Sequence, residues 1–478
     1  MAKFEIKDGV VTIPEGTIKI DDYAFRHCSS LKSITIPKSV TKIEWESFCD
    51  CPSLECIVVA KDNPIFDSRE GCNGIIETAT NTLIVGCKST TIPESVTEIG
   101  CGAFWSCDTL KHITLPASIT KIEVGAFENC TALETINIPS SVTKIRWSAF
   151  ENCTSLRSIE IPESITEIEE DVFRNCSSLE RIIVAEGNPT YDSREDCNAI
   201  IETATNTLIT GCMSTVIPES ITKIADCAFL GCSSLEDIII PASVMWIGQE
   251  AFSRCSSLKS ITIPESVSVI GDEIFRYCTS LKNITLTETI TEIGDRAFEE
   301  CSSLISITIP DSVTTIGVCA FSGCNLLKDI IISATLSELK FGTFWGCTSL
   351  ESITIPNSVT KVGEFTFYEC TSLKSISIPE SIRRIGGNAF SECNSLESIT
   401  INKGVKNIQL YAFADCRALK TITFPMGITK IDPTLFYGCN KIQTIYVPAK
   451  KADYYKRRLP KALHNKIVEL VTENETKK

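Results

Sequence analysis

Hydrophobic positions in this chain recur with a period of 23 residues. Ten phenylalanines, Phe229, Phe252, Phe275, Phe298, Phe321, Phe344, Phe367, Phe390, Phe413 and Phe436, keep that spacing, and a cysteine follows three positions after each, from Cys232 to Cys439. One unit carries Leu258, Ile261 and Ile263, then Val267 and Ile270, before the next Phe275 and Cys278. Ile261-Thr262-Ile263 alternates apolar and polar, as a strand with one buried face does. Pro264 has no amide hydrogen and stops the ladder. Gly271 is expected to permit a turn. Twenty-three residues are too few for a strand plus a long helix, so the side opposite the ladder should hold short strands and tight turns. A self-similar period of this size predicts a solenoid in which no unit buries its apolar face alone. The expected fold is a β-rich, right-handed superhelix with a parallel strand ladder.

The frame extends toward the N-terminus through Phe25, Phe48, Phe104, Phe127, Phe150 and Phe173, giving sixteen Phe-x-x-Cys units. Residues 1–24 read as an atypical first coil: Val11, Ile13, Pro14 and Ile20 are in frame, but Asp8 takes the leucine slot and Thr17 the valine slot. Phe48 to Phe104 and Phe173 to Phe229 are each 56 residues apart, one period plus 33. The two extra segments, about 60–88 and 185–213, share the text Asn-Pro-x-x-Asp-Ser-Arg-Glu, beginning at Asn63 and Asn188. In each, apolar runs flank Thr78-Ala79-Thr80-Asn81 or Thr203-Ala204-Thr205-Asn206, which predicts a β-hairpin built into one coil. A structural variant of the repeat is favoured there over a docking loop, because neither copy carries a spread of catalytic residue types. The solenoid is thus expected over 1–448. A helical cap should follow over 449–470, in two pieces (452–459 and 461–470) broken by Pro460, with Leu459, Leu463, Ile467, Val468 and Leu470 covering the last coil. Residues 471–478 should form a disordered tail.

Net charge is −15 and the pI about 4.9, which argues against nucleic acid or an anionic membrane as the main partner. From Ala449 onward the balance is +5, leaving −20 on the repeats, and Lys450, Lys451, Lys456, Arg457, Arg458 and Lys461 form a basic cluster. No apolar run is long enough to span a bilayer, and the first residues lack the apolar core of a signal peptide. The three histidines, His27, His112 and His464, have no partner at ligand spacing, and no nucleotide-binding or zinc-protease motif occurs. No catalytic residue, cofactor or metal site is expected. Among 25 cysteines there is no Cys-x-x-Cys; sixteen are the repeat cysteine, best read as a buried thiol column. The pairs considered for bridging are Cys72 with Cys87 and Cys197 with Cys212, which would lie opposite one another across the hairpin strands if the turns are centred as above.

The pattern Cys-x-Ser-Leu-x-x-Ile-x-Ile-Pro-x-Ser-Val-Thr-x-Ile-Gly-x-x-Ala-Phe-x-x-Cys, as at 255–278 and 347–370, resembles the BspA-like leucine-rich repeats, the Treponema pallidum class. The two insertions and the closing Ile445-Tyr446-Val447-Pro448 segment resemble versions in gut Bacteroidetes. The resemblance covers residues 1 to about 470. It implies a bacterial secreted or cell-surface protein of the kind that binds other proteins, host matrix among them, and so a possible role in adhesion.

Residues between the buried isoleucines should point outward, and they are largely Ser and Thr. Val58, Ile183, Ile239 and Ile331 break that rule. After the core Phe, the variable position holds Trp105, Trp345, Tyr368 and Tyr437. Exposed aliphatic and aromatic side chains are the raw material of interfaces. Val58, Ile183, Ile239, Ile331, Trp105, Trp345 and Tyr368 are therefore the candidate partner-binding residues, with Val58 and Ile183, beside the insertions, foremost. The expected function is non-catalytic protein binding. The alternatives are glycan binding, with Trp345 and Tyr368 stacked on sugar rings, or a passive spacer. Nothing in the pattern requires a second subunit, so a monomer is the default.

Overall fold

The computed structural model describes residues 4–470; the tail expected to be disordered lies outside them. Within a coil, the first strand places its isoleucines inward and its Ser or Thr outward, as in Ser306–Thr308 with Ile307 buried between exposed neighbours. Strands of successive coils pair in parallel at a register of 23, for example Ile307 with Ile330 and Ile353 with Ile376. A two-residue strand lies on the other side, such as Glu292–Ile293, and forms its own parallel ladder with Thr315–Ile316.

The turns are not made by the repeat glycine. Gly271, Gly294 and Gly317 do not have positive φ; a Cβ on Gly317 would stand 2.3 Å from the Gly294 backbone, so glycine there permits close stacking of coils. The chain instead bends at left-handed residues two positions either side of the core Phe. The position after is left-handed in all sixteen units, whether it is Asn152, Arg254, Tyr277, Glu300 or Gly323.

The chain divides into two compact units, Met1–Ile221 with Cys227–Leu235, and Thr222–Asp226 with Glu236–Lys478. In the first, Phe104, Phe127, Phe150 and Phe173 stack at 5.0 to 5.7 Å between ring centres. In the second, the nine rings from Phe252 to Phe436 stack in series at 5.2 to 6.1 Å. Beside the rings runs the thiol column. Cys130, Cys153 and Cys176 in the first unit, and the repeat cysteines from Cys278 to Cys439 in the second, each donate to the carbonyl of the Phe one coil back, at 2.9 to 3.2 Å. Thirteen of the sixteen repeat cysteines are buried; Cys28, Cys51 and Cys107 are half-buried. The serine of Pro-x-Ser-Val has a matching role, as Ser118, Ser164 and Ser312 donate to the carbonyl of Val96, Val142 and Ile290 in the preceding coil.

The ends differ from expectation in detail. Phe4 stacks on Phe25 at 5.4 Å, covering the first ring. At the other end the helix is Ala452–Lys456, a 3-10 turn spans Lys461–Lys466, and Ile467–Glu469 is a strand pairing in parallel with Thr444–Val447. Leu459 and Leu463 are buried, but Val468 and Leu470 are exposed, because that segment extends the ladder instead of turning as a helix onto it. The main cover is Tyr455, fully buried, stacked on Phe424 at 5.0 Å and donating to the Pro425 carbonyl.

Candidate functional site

Each insertion is an antiparallel meander. Phe66–Asp67 pairs with Ile75–Glu77, which pairs with Thr82–Val85, and the last of these joins Glu98–Ile99 in parallel. The second copy repeats this with Tyr191–Asp192, Ala199–Glu202 and Thr207–Gly211. The shared polar text is consumed by structure. Asn63 donates to the Pro37 and Val40 carbonyls and accepts from the Ile65 and Phe66 amides. Ser68 accepts from the Val59 amide. Arg69 forks onto Asp67 at 2.5 and 2.8 Å and reaches Asn81 at 3.0 Å. Asn188, Ser193, Asp192, Arg194 and Asn206 make the equivalent bonds. Partial burial pushes the Asp67 and Asp192 carboxyls up, but the arginine, the backbone amide and Thr78 or Thr203 together outweigh it and hold both below the ordinary value.

The candidate bridges are displaced by a bulge. Ile76 faces Leu83, but Ile75 faces Val85, so the register slips by one before the cysteines are reached; Ile200 and Ile201 mark the same slip in the second copy. Cys72 and Cys87, and likewise Cys197 and Cys212, are therefore not opposite residues, and all four are free thiols here. Cys87 donates to the Asn73 carbonyl and Cys212 to that of Asn198.

The candidate binding residues do not converge. In the first unit Val58 lies beside Thr35 and Ile183 beside Glu160 on the ladder. In the second, Ile239 and Ile331 are exposed, four coils apart, or roughly 19 Å at the usual strand spacing. Trp105 stacks on Trp45 at 5.7 Å, and Trp45 is the more exposed partner that the spacing of the core Phe did not single out. Trp345 and Tyr368 do meet, edge to face at 5.3 Å, within a cluster completed by Phe341 and Phe365. Their polar heads are already engaged, Trp345 with Glu369 and Tyr368 with Glu392. Burial and the Glu392 bond raise the Tyr368 phenol to about 12.

Beside the first insertion lies a groove of about 550 Å³, lined by Ile43, Trp45, Ile65, Phe66, Ile84 and Glu77 among others. The strand at its edge, Lys42–Ile43, pairs with Lys19–Ile20 on its other side. Lys42 and Glu44 donate to the Ile18 and Ile20 carbonyls, so the intervening Ile43 amide points away from that pairing, toward the groove. It has no partner among the described residues. In the second copy the corresponding Ile168 amide donates to the hydroxyl of Tyr191 at 3.1 Å. Phe66 stands where Tyr191 does and has no hydroxyl.

His27 pairs with Asp50, His112 with Thr135, and His464 with the Leu459 carbonyl. Among the described residues no cluster of three or more His, Cys, Asp or Glu is arranged to hold a metal ion, and no helix is long and apolar enough to cross a membrane.

The model of the BspA type leucine rich repeat region (6 copies) matches residues 6–69, 83–194, 209–328 and 320–443. Among solved structures, a leucine-rich repeat protein from Bacteroides ovatus is 24% identical over 97% of this chain and 92% of its own, with a TM-score of 0.47. A leucine rich cell surface protein from Faecalibacterium prausnitzii is 27% identical over 83% of this chain and 98% of its own, with a TM-score of 0.45. The T. pallidum leucine-rich repeat protein is 31% identical over 38% of this chain and 86% of its own, with a TM-score of 0.33. No curated protein matches significantly. With the family model covering most of the sequence, the chain belongs to the BspA-type leucine-rich repeat proteins.

Proposed function

We propose that this chain is a non-catalytic scaffold that binds other proteins. The observation that supports this reading is the set of apolar side chains held outward on a hydrogen-bonded ladder. Ile331 is 65% exposed on a strand paired with Ser306–Thr308, which presents Thr308 at the same position, and Val58 is exposed on a strand paired with Ser33–Ile36, which presents Thr35. Ile239, 85% exposed, follows the single bridge between Asp237 and Ser260. A flexible loop could tuck such side chains away; a strand held in register by its neighbour, as those of Val58 and Ile331 are, cannot. Rigid apolar groups in a polar surround lose little entropy on binding, which is the arrangement of an interface. Glycan stacking finds less support at Trp345 and Tyr368, whose rings already pack on Phe365 and on each other.

The test is the intact chain on protein and glycan arrays in parallel, followed by Ile183→Asp and Ile239→Asp against Thr262→Asp as a control. Protein hits weakened by the two isoleucine changes, and not by the threonine one, are the expected result. Glycan hits alone would favour the glycan reading, and equal effects at all three positions would remove the ladder face as the contact surface.

A further inference from the structure

The groove beside the first insertion has three properties that together define an occupant. The first is the unpartnered Ile43 amide on the edge strand, a main-chain donor that needs an acceptor. The second is an apolar lining, with Trp45 and Ile65 exposed, Ile84 half-buried and Phe66 buried. The third is charge. Glu44 is neutralised by Lys19 and Lys42, and Glu98 by Lys121, but Glu77 and Glu46 make no ion pair among the described residues.

The second copy supplies an internal control. At the corresponding positions, 125 residues on, Lys42 becomes Glu167, Trp45 becomes Glu170, Ile65 becomes Thr190 and Val85 becomes Thr210, while Tyr191 takes the amide. The same backbone is closed and polar in one place, open and apolar in the other.

We infer that the first groove docks an extended peptide segment of a partner protein, with alternating apolar and basic residues. A carbonyl of that segment accepts from Ile43, an apolar side chain rests against Phe66 and Ile84 beside Trp45, and a Lys or Arg side chain reaches Glu77. This is edge-strand addition, in which main-chain bonds supply affinity and alternate side chains supply selectivity. It rests on the protein-binding reading above and names its site and the chemistry of its partner.

The test uses the full chain and the labelled peptide acetyl-Lys-Val-Lys-Ile-Lys-Val-amide, followed by fluorescence anisotropy. Saturable binding is expected. Phe66→Tyr, which copies the second insertion and so keeps a fold this chain already uses, should weaken it by about tenfold or more, and Glu77→Gln by about threefold. The peptide with Glu in place of Lys should bind at least about tenfold less tightly. Unsaturable binding, or an unchanged affinity in a Phe66→Tyr protein whose melting curve shows it folded, overturns the inference. The protein array separates this failure from a wider one: intact chain and Phe66→Tyr capturing the same proteins equally would remove the groove and leave the scaffold, whereas no capture by either would remove both.

Discussion

The two insertions share their text, their three-strand meander, their arginine fork and even their bulge, and they differ at the groove by one hydroxyl and a handful of side chains around it. The contrast separates what a segment needs in order to fold from what it is free to present. Asn63, Asp67, Ser68, Arg69 and Asn81 recur in the second copy because each satisfies a backbone group or another member of the network. Trp45, Ile65 and Val85 do not recur, since none of them is required by the meander.

The largest effect should be one the copies have in common. Phe104 and Phe229 each lie against a glycine of the insertion, Gly86 or Gly211, where a Cβ would come within 2.1 Å of the ring. Phe104→Ala and Phe229→Ala should each cost about 3 to 5 kcal/mol in chemical denaturation. Values that differ by more than about 1 kcal/mol would break the equivalence of the two folds.

Next come the arginine forks. Arg69→Ala and Arg194→Ala should each cost about 2 kcal/mol, since each leaves a part-buried carboxylate with fewer donors. The sign with pH follows from the depressed aspartates. Their contribution is fully present above the unfolded value of about 3.9 and is lost as pH falls through the lower folded value. Acid titration of the wild type should therefore show a loss that the double arginine variant lacks; identical acid profiles would sever the fork from stability.

Smaller, and opposite in sign between copies, is the hydroxyl itself. Tyr191→Phe should cost about 1 kcal/mol by stranding the Ile168 amide, and Phe66→Tyr should stabilise by a similar amount by pairing that of Ile43. Effects of the same sign would mean that the Ile43 amide already has a partner. Smallest is the response to oxidation. With each cysteine pair out of register, mild oxidant should leave Cys72, Cys87, Cys197 and Cys212 unlinked and the melting temperature unmoved; a Cys72 to Cys87 linked peptide would show that the bulge yields.

The solenoid, its strand ladder and the position of both hairpins were legible because a 23-residue period over sixteen units leaves few alternatives. What the period could not reveal was anything carried by backbone conformation. Left-handed residues fall two positions either side of the core Phe, but Arg254, Tyr277 and Glu300 carry no glycine or asparagine signal there, so the turns were assigned to Gly271. The bulge was hidden for a related reason, because pairing from the Thr78–Asn81 turn counts residues evenly and a slip at Ile75 has no sequence mark. At the C-terminus, Ile467 and Val468 fit a helix as well as a strand, and only the open ladder edge of Thr444–Val447 decides between them. Among the candidate binding residues, exposure at Ile239 and Ile331 was readable from alternation alone. Trp45 was missed because it lies before the core Phe, outside the variable position after it, and its importance comes from the neighbouring insertion.

The thiol column also makes the protein its own stopwatch. A thiol alkylates as its thiolate, and burial raises those of Cys130, Cys153, Cys301, Cys324 and Cys370 well above their ordinary value while each proton is held on a neighbouring carbonyl. Cys301, Cys324 and Cys370 can therefore react only during the moments when their own coil is open. Iodoacetamide labelling of the native chain, read peptide by peptide, times those openings separately along the array, with no probe introduced. Where neighbouring cysteines label at one shared rate, their coils open as one body, and where the rate steps, the boundary between cooperative segments has been located to within a single period.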